Sequence, residues 1–163
     1  MDSRYSFLAA VAFLFSLGIC SPRSAFAAPP PDPCSLLTQA QVSAALGTTV
    51  EAPQLVPAKL CQWSTPKQPN PTNAKSVVLT ISTERAFGFA KTPVASGTKA
   101  VPASGVGDDA VYAVSVDASG SSAAQLHVKK GSTYFVVHVY GFPDQTKVME
   151  IEKALALQAR SKL

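Results

Sequence analysis

The sequence predicts an α+β fold, an antiparallel β-sheet packed by N- and C-terminal helices. Three observations carry that prediction. Runs such as SVVLTIST (76–83) alternate apolar and polar residues with period two. The clearest helix signals sit at the two ends of the folded part, in TQAQVSAALG (38–47) and PDQTKVMEIEKALALQAR (143–160). The connections between strand candidates in the C-terminal half are short enough for hairpins, which make neighbouring strands antiparallel.

Residues 1–27 have the pattern of a secretory signal peptide. A weakly charged start is followed by the apolar run FLAAVAFLFSLGI (7–19) and a small-residue A-x-A site ending at Ala27. The run is shorter than the ~20 residues a membrane-spanning helix needs. Lipid attachment at Cys20 is the rival reading, but bacterial lipidation wants a small residue before the cysteine, and Ile19 stands there. Secretion to a periplasmic or extracellular compartment, with cleavage after Ala27, is therefore expected, and no stable membrane span should survive it. Loss of Arg4, Arg23 and Asp2 lowers the +4 formal charge of the 163-residue chain by one. The remaining lysines are scattered apart from Lys129-Lys130. No basic stripe among aromatics is present, so a nucleic-acid partner is not expected.

Residues 28–33, APPPDP, form a stiff proline-rich lead-in, and 34–163 form a single α+β domain. Thr38 starts the first helix: Gln41 lies at capping-box spacing, and Leu37 with Val42 makes a hydrophobic staple. Gly47 ends it. KLCQWS (59–64) is a short strand with Cys61 and Trp63 on one face. PKQPNPTN (66–73) is a loop, and the central proline of Asn70-Pro71-Thr72 forbids glycosylation there. In 76–83, Val77, Leu79 and Ile81 point one way. ERAFGFAK (84–91) is a short helix weakened by Gly88, and 92–107 is a polar loop.

DAVYAVSV (109–116) and AAQLHVK (123–129) are strands joined by the turn DASGSS (117–122). Lys130-Gly131 fits a two-residue hairpin turn into STYFVVHVYGF (132–142). That near-continuous apolar run, interrupted by His138, predicts a central strand covered on both faces. The closing helix begins at Pro143-Asp144 and buries Val148, Ile151 and Leu155.

Of three cysteines, Cys34 and Cys61 outlast signal cleavage. In an oxidising compartment they are expected to form a disulfide, closing a loop of about 28 residues for ~3–4 kcal/mol. Two cysteines alone do not make a zinc site. A nucleophilic thiolate needs an activating base, and both histidines are far off in sequence.

The hairpin places His127 opposite Tyr134, so His127, Tyr134, Val136, His138 and Tyr140 share one sheet face. In that register the two histidines lie ~13 Å apart, too far to hold one metal ion. Such residues under a covering helix are usually satisfied core groups; the other reading is a pocket between sheet and helix, where hydroxyls and imidazoles orient a ligand. Asp108-Asp109 offers too few oxygens for calcium and its two side chains point to opposite faces, which suits a turn cap at a strand start. Gly105-Val106-Gly107 precedes a strand, not a helix, and so is no phosphate loop. No catalytic constellation is visible, and no metal or cofactor is expected.

PDPCSLLTQAQVSAALG, CQW, GVGDDAVY, the strand pair HVKKGSTYFVVHV and the closing helix together resemble a family of small exported bacterial proteins of unknown function, many of them actinobacterial lipoproteins. The resemblance covers nearly all of 31–160 and rests on Cys34, Cys61, Gly107, Asp108 and Ala110. It implies a PsbP-like α/β sandwich and an envelope location, with a lipid anchor common among members. It implies no catalytic residues.

Two functions are expected from this reading. One is a non-enzymatic envelope module binding a protein or a small apolar ligand through Tyr134, His138, Tyr140 and His127. The other is an exported hydrolase whose site is assembled from separated groups such as His127, His138 and Asp108.

Overall fold

Two short N-terminal helices are set by their caps. In a computed structural model, which describes residues 31–57, 59–67, 74–92, 97–116 and 122–163, the Asp32 carboxylate accepts from the Cys34 N–H at 2.9 Å and starts α1 (Pro33–Leu36). Thr38 caps α2 (Gln39–Leu46) through the full capping box with Gln41. The proline-rich lead-in therefore ends earlier than expected: Pro33 is the first residue of α1 and is buried. Proline suits that position because its missing N–H would have no helical partner. The signal peptide, Cys20, the lead-in as far as Pro30, Asn70-Pro71-Thr72 and the turn 117–121 lie outside the described residues.

Among the described residues seven strands follow: β1 (Gln54–Val56), β2 (Leu60–Ser64), β3 (Ser76–Thr83), β4 (Thr98–Pro102), β5 (Asp109–Val116), β6 (Ser122–Lys130) and β7 (Thr133–Tyr140). They form one antiparallel sheet in the order β1-β2-β3-β7-β6-β5-β4, with the apolar β7 fourth of seven as its composition predicts. Helix α3 (Glu84–Lys91) leaves β3 directly, and α4 (Gln145–Arg160) closes the chain with Asp144 as its cap. Among the described residues no helix is long and apolar enough to cross a membrane.

Two strands depart from expectation. β1 was not anticipated, and β4 lies inside the segment expected to be loop. Both are edge strands, short and largely exposed, so burial imposes no alternation on them.

The main core lies on one face of the sheet. Cys61 and Trp63 of β2, Val77, Leu79 and Ile81 of β3, and Phe135 and Val137 of β7 are buried there. Against them pack Leu36 and Leu37, then Val42 and Leu46 of α2, and Val148, Ile151 and Leu155 of α4. A fully enclosed leucine such as Leu155 contributes about 1.5–3 kcal/mol. The Cys34–Cys61 disulfide ties α1 to β2 across this layer, with its Cα atoms 5.1 Å apart.

The GVGDDA turn is explained by close approach. A Cβ on Gly107 would lie 2.4 Å from the Lys129 carbonyl oxygen and 2.7 Å from the Val128 side chain. Only glycine lets this segment lie against β6, where the Asp108 N–H donates to the same Lys129 carbonyl at 2.9 Å.

The β6–β7 hairpin turns one residue later than the sequence predicts. Lys130 pairs with Thr133, and Gly131-Ser132 makes the turn, with Gly131 at φ 56° and Ser132 outside the positive-φ region. Glycine in the first central position is the type II′ pattern. His127 is consequently opposite Val136, not Tyr134, and Lys129 is opposite Tyr134. The correction is an even number of residues across the pair, so every side chain keeps its face.

Candidate functional site

The second sheet face carries α3. Val111, Ala113 and Ser115 of β5 face the same way as their partners His127, Gln125 and Ala123 of β6, and Tyr134 and Val136 of β7 continue the surface. Helix α3 follows β3 directly and packs back over β5, β6 and β7. Phe87 meets the Tyr134 ring edge-on at 5.7 Å. Phe87, Val111 and Tyr134 form a small second core, against which Ala86, Ala90 and Val136 pack. Two partly exposed ion pairs run from the helix ends to the sheet, Glu84 with Lys129 and Lys91 with Asp109. The Glu84 partner raises the pKa of Lys129.

Short side chains beside that contact leave a space. Ala113, Ser115 and Ala123 make its floor, and Ala86, Phe89 and Ala90 make its helical wall. The result is a cleft of about 340 Å³, also bordered by Gln125, His127 and Tyr134. Phe89, which is 80% exposed, stands at the rim.

His127 and Tyr134 act as a pair. The Nδ1 atom lies 2.6 Å from the tyrosine oxygen and the rings are nearly parallel, 5.9 Å apart. Nε2 of His127 is buried without a partner. Burial lowers the His127 pKa to about 4 and raises that of Tyr134 to about 12. At neutral pH both are uncharged, and His127 is too weak a base to activate a nucleophile well.

His138 and Tyr140 belong elsewhere. They share the face, but β6 stops pairing with β7 at Leu126–Val137, and the strands part beyond that point. Their rings lie 3.9 Å apart. With Phe142, Gln145 and Val148 they border a separate cavity of about 160 Å³ under the start of α4. Burial, then the neighbouring His127, lowers the His138 pKa to about 4. Tyr140 is 45% exposed. The four candidate ligand residues thus divide into two pairs at two cavities. In this register His138 sits two residues past the position opposite His127, so the expected ~13 Å spacing of the histidines does not hold.

Asp108 joins neither pair. Its Oδ2 accepts from the Gly131 N–H at 2.7 Å and its Oδ1 from Lys130 Nζ at 3.1 Å, holding the β6–β7 turn. Those two bonds, the backbone one first, lower its pKa. Among the described residues no group of three or more His, Cys, Asp or Glu is placed to hold a metal ion.

The cleft's alanines, Gln125 and Phe89 were not singled out from the sequence. One signal was available: Ala113, Ser115 and Ala123 are small residues at alternate positions of neighbouring strands, where a covered face would ordinarily carry bulk. No family model, no curated protein and no solved structure matches the chain.

Proposed function

We propose that this protein is an exported, non-enzymatic binding module that takes a small apolar ligand between α3 and the sheet. The single observation supporting this most strongly is the cleft of about 340 Å³ left by Ala113, Ser115 and Ala123 beneath α3. Its size is at the lower end for ligand sites, and its lining is mainly apolar with a small number of polar groups, the usual composition of such sites. Export is supported by the N-terminal signal pattern, and the Cys34–Cys61 disulfide fits an oxidising compartment. The hydrolase alternative gains no support, because Asp108 serves a turn and His127 is paired with a tyrosine.

The test is a titration of the purified protein with N-phenylnaphthylamine, whose fluorescence rises in apolar surroundings. Saturable binding is expected, and Ala113→Phe should abolish it by filling the floor while the far-UV circular dichroism stays unchanged. Equal binding by the folded A113F variant would refute the reading.

A further inference from the structure

We infer that the ligand of this cleft is a neutral apolar molecule bearing a hydrogen-bond acceptor, such as a ketone or ester, whose oxygen is taken by Nε2–H of His127. The inference rests on the reading of the cleft as a ligand site and adds the ligand's chemical class.

The hydrogen-bond inventory of the His127–Tyr134 pair carries it. A neutral imidazole has one N–H and one acceptor nitrogen. If Nδ1–H donated to the Tyr134 oxygen, the tyrosine proton and the Nε2 lone pair would both be left unmade in the interior. If the Tyr134 hydroxyl donates to Nδ1, the Nε2–H and the acceptor side of the tyrosine oxygen are left over. Each arrangement leaves one donor and one acceptor over, and the second is favoured because the phenol is the stronger donor and the imidazole nitrogen the stronger acceptor. The remaining N–H is a buried donor, and it calls for an acceptor.

The location fits. His127 borders the cleft. On the sheet it lies between Val111 and Val136, which with Tyr134 carry Phe87, Ala86 and Ala90 of α3. Easing α3 off the sheet gives a ligand access to that nitrogen. The movement is opposed by the Phe87 contact and by two partly exposed ion pairs, which contribute little. Charge narrows the class further. Both members of the pair are neutral, so a carboxylate would be desolvated opposite one uncharged donor and disfavoured.

Competition against N-phenylnaphthylamine tests this with two molecules of one shape, benzophenone and diphenylmethane, and with diphenylacetate as the anion. Wild-type protein is expected to prefer the ketone over the hydrocarbon by about three- to tenfold, the worth of one hydrogen bond, with the anion weakest. His127→Phe should erase the preference. Because that change strands the Tyr134 hydroxyl, the double variant H127F/Y134F is measured beside it and should also bind ketone and hydrocarbon equally. Equal binding in wild type, or a preference surviving in the double variant, overturns the inference. If neither competitor displaces a bound probe, the ligand class is wrong; if the probe itself fails to bind, the cleft reading is wrong.

Discussion

The Glu152 carboxyl accepts a hydrogen bond from the Val139 N–H at 3.1 Å, joining the C-terminal helix to the central strand inside the core. β6 stops pairing with β7 two residues earlier, at Val137, so a strand carbonyl is missing there and a helix side chain supplies the acceptor. Glu152 is completely buried and its Oε2 has no partner. Burial raises its pKa to about 9, opposed in part by the Val139 bond.

That raised pKa has a definite sign. The unfolded carboxyl ionises near 4.5 while the folded one stays protonated to about 9. Its contribution is fully present below the lower value and is lost as pH rises toward the upper one. Between pH 6.5 and 8.5, stability should fall by up to about 1.4 kcal/mol per pH unit. Glu152→Gln keeps an acceptor and cannot ionise, so its urea midpoint should be nearly flat over the same range. A slope unchanged by E152Q would contradict this account of the carboxyl.

The histidines act in the opposite direction. Folded His127 and His138 titrate at about 4, below their ordinary 6.5, chiefly through burial. Stability is present above 6.5 and lost as pH falls through that window, because the unfolded state binds protons that the folded state refuses. With two histidines set against one glutamate, stability should peak near pH ~6.5. Urea titrations at half-unit intervals check the peak, and H127F/H138F should remove its acidic limb.

Removing the disulfide should cost about 3–4 kcal/mol, since it closes a loop between residues 27 apart. The C34S/C61S variant measured by urea unfolding gives the figure. A thiol titration of the unreduced protein lacking residues 1–27 should find no free sulfhydryl.

Gly107→Ala should be the most harmful small substitution in the turn before β5. Its methyl group would meet the Lys129 carbonyl and Val128, both fixed in a sheet strand. A loss of about 1–3 kcal/mol is expected from such overpacking, read as a lowered thermal midpoint, whereas Gly88→Ala, where a Cβ meets nothing within 4 Å, should leave it unchanged or raised.

The legible parts of the fold were those whose signals are local. Thr38 and Gln41 announce a helix start through their own hydrogen bonds, and Val77, Leu79 and Ile81 announce a strand because one face is buried. β1 and β4 were hidden because edge strands bury too little to impose a pattern. The turn at Gly131-Ser132 was misplaced by one residue, since Lys130-Gly131 is locally just as plausible. What distinguishes them is tertiary: Asp108, more than twenty positions away, accepts from the Gly131 N–H.

The candidate site was half legible. Parity alone put His127 and Tyr134 on one face, and it did so despite the wrong register. The separation of His138 and Tyr140 into another cavity depends on where β6 and β7 part, which no short stretch encodes. The cleft itself is made by what Ala113, Ser115 and Ala123 lack, and α3 had to be placed over them before that mattered.

The central claim is that ligand enters between α3 and the sheet, and backbone amide shift mapping during an N-phenylnaphthylamine titration tests it most directly. The account predicts perturbations concentrated at Ala86–Ala90, Ala113–Ser115 and Ala123–His127. Perturbations confined to the apolar groove at Leu55, Val56 and Lys59, or to the His138–Tyr140 cavity, would contradict it.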